Sequence, residues 1–247
     1  MKIQLKKYDV LASTNETAAK AACQGADEGT IIVATRQEGG HGRMQRVWNS
    51  PKGGLWFTIV LRPKIDPMYV PQVTLLMGVA VAQGLRRLYS TDKISIKWPN
   101  DILWDGRKVC GILSEMQLDA NGDIDHTIVG VGVNVAFSST YLPEAVRPTA
   151  AVLSEVSGKS FTCEDVLQAI LTEFEPIYEA WQREGSEAML KRWCSLNCTL
   201  GKYVNVKDND EIIFQGTAVS IDEEGALKVK SLEGKIRSYN FGEISIR

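Results

Sequence analysis

The chain has 247 residues, 44% of them hydrophobic and 23% charged, enough apolar material for one large core and a smaller second unit. Lys and Arg total 28 against 30 Asp and Glu, a net charge of −2, which argues against a dedicated nucleic-acid binder and leaves only local basic loops for anions. No apolar run reaches the roughly 18 residues of a membrane span, and the start, Met1-Lys2-Ile3-Gln4-Leu5-Lys6-Lys7, lacks a signal-peptide core; a cytoplasmic protein is expected, with neither membrane nor nucleic acid as partner.

Ser13-Thr14-Asn15-Glu16, ahead of an alanine-rich run to Gly25, predicts a capped helix with a glycine stop. The β-branched run 30–34 predicts a strand. It feeds a loop of glycines and arginines, Gly39-Gly40-His41-Gly42-Arg43-Met44-Gln45-Arg46-Val47-Trp48, closed by Ser50-Pro51. Clustered backbone N–H groups with no Cβ in the way favour anions, and guanidinium groups neutralise them. Trp48 suits either a core position or stacking on a purine. Strand character resumes over 54–61. Apolar residues at helical spacing over 71–89, from Val73 and Leu76 to Leu85 and Leu88, predict a core helix.

A short strand, Ile94–Lys97, leads into Lys97-Trp98-Pro99-Asn100-Asp101. Pro99 restricts Trp98 to extended backbone and so sets where Asn100 and Asp101 point. A positioned amide can read a base edge and a carboxylate can hold Mg²⁺; a plain strand end with a turn would use the same residues. Asp105-Gly106 predicts a hairpin between 102–104 and 108–117, and Asn121-Gly122 another before 127–135. Lys108 follows that tight turn and precedes apolar Val109 and Ile112. A lysine entering a largely buried strand needs a partner, and an anionic ligand is a natural one. Val129-Gly130-Val131-Gly132-Val133-Asn134 reads as a buried strand missing two side chains, which marks close approach of a ligand or of another backbone.

Runs 163–183 and 186–194 are helical, so strands, a meander and then helices give an α+β pattern. The cysteines (Cys23, Cys110, Cys163, Cys194, Cys198) are odd in number and scattered, and His41 and His126 are the only histidines. A zinc site is therefore poorly supplied, and reduced, buried thiols are expected. Near Thr199 the composition changes to short β-rich runs (203–206, 212–221, 226–231, 235–239, 244–246) with turns at Asp208-Asn209 and Glu224-Gly225, which suits a small barrel.

Four blocks in order resemble the biotin protein ligases, over nearly the whole length. They are Ser13-Thr14-Asn15; Gly40-His41-Gly42-Arg43 through Trp48-x-Ser50-Pro51; Lys97-Trp98-Pro99-Asn100-Asp101 with Arg107-Lys108-x-x-Gly111-Ile112-Leu113; and Gly130-x-Gly132-x-Asn134. The resemblance implies a class II synthetase-like mixed sheet with flanking helices over 1–198, then a small SH3-like β-barrel over 199–247. It implies conversion of biotin and ATP, with Mg²⁺, to biotinyl-5′-AMP and transfer of biotin to a lysine of a biotin carboxyl carrier protein. Some relatives are homodimers.

By the same resemblance Ser13, Thr14, Asn15 and Gln37 surround the biotin rings, and Gly130 and Val133 line the biotin pocket. Gly40, His41, Gly42 and Arg43 close over biotin and its adenylate. Lys108 bridges the biotin carboxylate and the α-phosphate, and with Arg43 carries catalysis. Trp48, Asn100 and Asn134 lie at the nucleotide. No metal ligands are identified. His41 interrupts the usual Gly-Arg-Gly-Arg, and Gln45 stands where a further glycine is common. An N-terminal DNA-binding domain, present in some relatives, is not expected. Rival readings are a lipoate or octanoyl ligase or transferase on the same scaffold, and a biotin-binding protein without catalysis.

Overall fold

The computed structural model describes residues 1–208, 211–240 and 242–246. Local signals start most elements where the sequence places them. The Ser13 hydroxyl accepts from the Glu16 N–H at 3.4 Å and opens helix α1 (Thr14–Cys23). A reciprocal Thr162–Asp165 capping box opens α4 (Cys163–Glu184). Asp105 (φ 50°) and Gly106 (φ 83°) make the tight turn between β5 (Asp101–Trp104) and β6 (Arg107–Leu118).

Strands β1 (Gln4–Leu11), β2 (Thr30–Gln37), β3 (Leu55–Leu61), β4 (Ile94–Lys97), β5, β6 and β7 (Ile124–Val133) form a seven-stranded sheet in the order β1-β2-β3-β7-β6-β5-β4. Only β1 and β2 pair in parallel; every other neighbour is antiparallel. β1 was not anticipated from the sequence. It is an edge strand, exposed along most of its length, so no inside–outside alternation marks it. Its pairing carries β2 on to Gln37, past the run read as strand.

The two faces of the sheet differ. On one, α2 (Pro71–Tyr89), α4 and α5 (Glu187–Leu196) cover Phe57, Ile59, Ile112, Val129, Val131 and Val133 in the main core. The stretch Pro67–Tyr89 is long and apolar enough to cross a membrane, contrary to the run-length reading, but most of it is buried inside the fold. On the other face α1 lays Ala18 and Ala22 over Ile32, Val60 and Ile128 only. Of the rows beside them, Thr58–Gly130–Leu113 meets only the first residues of α1, Thr14 and Asn15, and Trp56–Gly132–Gly111 meets Trp48. The space over these rows is where a ligand can sit.

A short helix α3 (Leu153–Ser157) precedes α4. After α5 come β8 (Tyr203–Asp208), β9 (Glu211–Ile221), β10 (Leu227–Lys230), β11 (Ile236–Tyr239) and β12 (Glu243–Ile246), in the order β11-β10-β9-β8-β12. The expected small barrel is seen as a five-stranded antiparallel sheet, with no pairing of β11 to β12 among the described residues. Asn209, of the expected Asp208-Asn209 turn, lies outside the described residues. Val204, Val206, Leu227, Val229 and Ile244 join the main core.

Trp98 ties the two sheets together. Its backbone N–H donates to Thr199 Oγ1 at 2.9 Å and its indole N–H to the Gly225 carbonyl at 3.2 Å. A chain ending at Cys198 would uncover this ring and the core side chains beside it. Such a truncation is expected to melt about 10 °C or more below the full chain, several kcal/mol of lost burial. Equal melting temperatures would show that the second sheet folds as an independent appendage.

Of the cysteines, all free, Cys110 is buried, Cys163 and Cys198 are half-buried, and Cys23 and Cys194 are exposed, so the expectation of burial holds only in part. Burial raises the Cys110 thiol well above its ordinary range, which makes it inert.

Candidate active site

This thinly covered part of the sheet forms a cavity of about 830 Å³ walled by the motifs and, on one side, by Ile244, Ser245 and Ile246 of β12. A second crevice, of about 870 Å³, lies at the end of α2 beside Arg86, Arg87 and Glu173 and holds none of the motif residues.

At one end the first residues of α1 build a hydrogen-bonded nest. Gln37 Oε1 accepts from the Thr14 N–H at 2.7 Å and from the Thr14 hydroxyl at 3.0 Å, while Gln37 Nε2 donates to Ser50 Oγ at 2.9 Å. The Thr58 hydroxyl lies 2.7 Å from Asn15 Oδ1 and 2.9 Å from Thr14 Oγ1. Asn15 Nδ2 donates to Glu115 Oε2 at 2.7 Å. Gly130 is required beneath this nest, because a Cβ there would sit 2.0 Å from Asn15 Oδ1. A concave set of buried amides and hydroxyls suits a small neutral polar ring.

The other end is charged and aromatic. Lys108 Nζ lies 2.5 Å from Asp101 Oδ1 and 4.9 Å from the centre of the Trp48 ring. Asp101 is thus a carboxylate partner of Lys108 within the chain, where the sequence points to an anionic ligand. Trp48 lies over two glycines: a Cβ would meet its ring at 3.2 Å from Gly111 and 2.5 Å from Gly132. Asn100 is clamped to β6, its Nδ2 donating to the Ile112 carbonyl at 2.7 Å and its own carbonyl accepting from the Ile112 N–H at 3.0 Å. The Trp98–Pro99 peptide before it is cis.

The glycine-arginine loop folds over this end. Gly42 N–H donates to the Arg46 carbonyl at 2.8 Å, Trp48 N–H to the Gly40 carbonyl at 2.9 Å, and Arg43 Nη1 to the Gly242 carbonyl at 3.0 Å. His41 turns its ring back on the loop, Nδ1 lying 3.3 Å from the Gly39 carbonyl. Met44 (φ 55°) and Gln45 (φ 56°) are both left-handed. Each such non-glycine residue costs about 1–2 kcal/mol, so the loop carries strain at both positions.

Ser13, Thr14, Asn15, Gln37, His41, Gly42, Arg43, Trp48, Asn100, Lys108 and Gly130 all line the cavity. Gly40 lies just behind, packed on Ser50 and Trp48. Val133 is a correction. Strand alternation puts it on the face opposite Gly130 and Gly132, in the main core between its strand partners Leu55 and Cys110. Asn134 is also placed differently: it is buried behind the wall, its Nδ2 donating to the Ala151 carbonyl at 3.0 Å. There it braces the segment that pairs with Lys108, whose N–H donates to the Thr149 carbonyl at 2.7 Å and whose carbonyl accepts from Ala151 at 2.8 Å.

Sequence reasoning missed Thr58, Glu115 and the β12 wall. Thr58 had one signal, as the sole polar residue of the run Leu55–Leu61.

The model of the biotin/lipoate A/B protein ligase family matches residues 8–134, and that of the biotin protein ligase C-terminal domain matches residues 199–247. The chain is 38% identical over 94% of its length to the bifunctional ligase/repressor BirA of Bacillus spizizenii, 71% of which is covered. It is 30% identical to a biotin–[acetyl-CoA-carboxylase] ligase of Paracoccus denitrificans, with 90% of this chain and 92% of that one covered. A biotin protein ligase from Aquifex aeolicus solved with biotin and ATP superposes with a TM-score of 0.84 at 29% identity, covering 99% of this chain and 98% of that chain. On the strength of the matched blocks, the cavity they enclose and these likenesses, the chain belongs to the biotin/lipoate A/B protein ligase family.

Proposed function

We propose that this cavity converts biotin and ATP to biotinyl-5′-AMP and pyrophosphate, then passes biotin to a lysine of a biotin carboxyl carrier protein. One observation carries the reading: a single cavity joins a neutral hydrogen-bonding nest to a cationic, aromatic end, with Lys108 at the junction. Its relatives named as biotin ligases, and the Aquifex enzyme held with biotin and ATP, supply the ligands that such a cavity fits.

In the first step a carboxylate oxygen of biotin attacks the α-phosphorus and pyrophosphate leaves. Two anions must approach, so positioned cations are the main catalytic device. Lys108 is placed to neutralise both, and Arg43 hangs over the same space. Mg²⁺, when bound, would screen the nucleotide's phosphates. Among the described residues no three His, Cys, Asp or Glu side chains cluster to hold a metal, but Asp101 offers one carboxylate at the cavity, which suits an ion carried mainly by phosphates. In the second step the carrier's lysine attacks the acyl carbon and AMP leaves. No base for that lysine is assigned.

Incubating the chain with labelled ATP, a carrier domain and either biotin or lipoate tests the reading. Biotin-dependent AMP release and carrier labelling are expected. Lipoate-dependent labelling would support the rival ligase, and binding of biotin without AMP release the non-catalytic one.

Arg43→Gly should still make the adenylate yet release it. Arg43 donates to the Gly242 carbonyl and lines the cavity, in a loop placed to cover an intermediate that hydrolyses readily. Free biotinyl-5′-AMP appearing in solution is the readout. Retention as tight as in the wild type would remove Arg43 from the lid.

A further inference from the structure

We infer that Thr58 and Glu115 are positioning residues that lock the Asn15 amide in one orientation, and so set the affinity of the ring-binding end of the cavity. The inference rests on the biotin-ligase reading and names two residues that neither the motifs nor that reading requires. Thr58 lies on β3, fully buried, and its hydroxyl is 2.7 Å from Asn15 Oδ1. Glu115 lies on β6, and its carboxylate is 2.7 Å from Asn15 Nδ2.

The donor count fixes the amide orientations. Gln37 Nε2 donates to Ser50, so its Oε1 faces Thr14 and takes the Thr14 hydroxyl proton. The Thr14 oxygen is then an acceptor only, and the single Thr58 proton goes to it or to Asn15 Oδ1. On the other side, an ionised carboxylate accepts and cannot donate, so it must face the NH₂ of Asn15. A flipped amide would set its oxygen against the Glu115 carboxylate and the Leu113 carbonyl, both of which now face the NH₂, so Glu115 selects the orientation and the Thr58 hydroxyl holds the oxygen end in place. Asn15 therefore holds a carbonyl oxygen, not an NH₂, over Gly130 at the floor of the cavity. An acceptor fixed there suits a ring that presents N–H groups, as the cyclic urea of biotin does. With the amide free to turn, part of the population would present NH₂ to NH, and that part does not bind.

Thr58→Val keeps the shape and removes the hydroxyl. Glu115→Gln keeps the length but lets the partner donate as well as accept, and its exposed position puts the fold at little risk. Each is expected to raise the KM for biotin about tenfold, with kcat for adenylate formation and the KM for ATP within about twofold of the wild type. Thr58→Ser should restore the biotin KM. An active wild type with an unchanged biotin KM in both variants overturns the inference and leaves the functional reading standing. So does a Thr58→Val loss that falls equally on kcat and both KM values and is not rescued by serine. A wild type that releases no AMP with biotin overturns the reading and this inference with it.

Discussion

Lys108→Ala lowers kcat/KM for biotin-dependent adenylate formation by about two to three orders of magnitude, a larger loss than it causes in biotin binding without ATP. The expected loss is about 2.7–4 kcal/mol, the scale for removing one positioned donor from a developing charge. Lys108 is well suited to cost that much because its backbone is fixed on both sides by Thr149 and Ala151 and its head sits between Asp101 and Trp48. Little reorganisation is left for the reaction itself. The alanine variant has a second handicap. Asp101, with a side chain only 19% exposed, would face the incoming phosphates without its cation. Biotin-dependent pyrophosphate release measures the effect, and a variant within a few-fold of the wild type would strike Lys108 from the mechanism.

Gly130→Ala should weaken biotin binding by one to two orders of magnitude and leave the fold intact. The new methyl would fall 2.0 Å from Asn15 Oδ1, so the amide must leave its place or the strands must part. Overpacking of this kind costs about 1–3 kcal/mol. Here the cost falls on the ligand, because the Asn15 side chain is the part able to move. Gly132→Ala is its counterpart at the other end. Its methyl would strike the Trp48 indole at 2.5 Å, and the KM for ATP should rise instead. Calorimetric titration of each variant with biotin, and kinetics against ATP, separate the two. Equal effects of both substitutions on both ligands would mean that the cavity does not divide into a ring end and a nucleotide end.

What the chain shows on its own is whatever repeats or punctuates over a few residues. The cap at Ser13, the Asp105-Gly106 turn, the helical spacing over 71–89 and the glycine-arginine loop are short-range features, and each stands where it was read. The combination of blocks was enough to identify the family and most of the cavity lining, because loops that cradle an anion need particular residues at particular spacings. Side-chain direction was not legible at Val133. Within Gly130-Val131-Gly132-Val133 alternate residues face opposite sides, and only the burial of one face against α2 and α4 decides which.

The tertiary structure alone determined who partners whom. Asn15 and Glu115 are 100 positions apart, Trp98 and Gly225 are 127 apart, and Arg43 and Gly242 are 199 apart. No local pattern encodes such pairs, since each depends on the register of β3, β7 and β6 and on where the second sheet docks. β1 belongs to the same class: an exposed edge strand with no burial alternation becomes a strand only because β2 lies beside it. Local sequence thus specified which chemical groups this protein owns. Long-range packing decided which of them meet, because contact between distant segments is set by the burial of whole faces and not by the preference of any one residue.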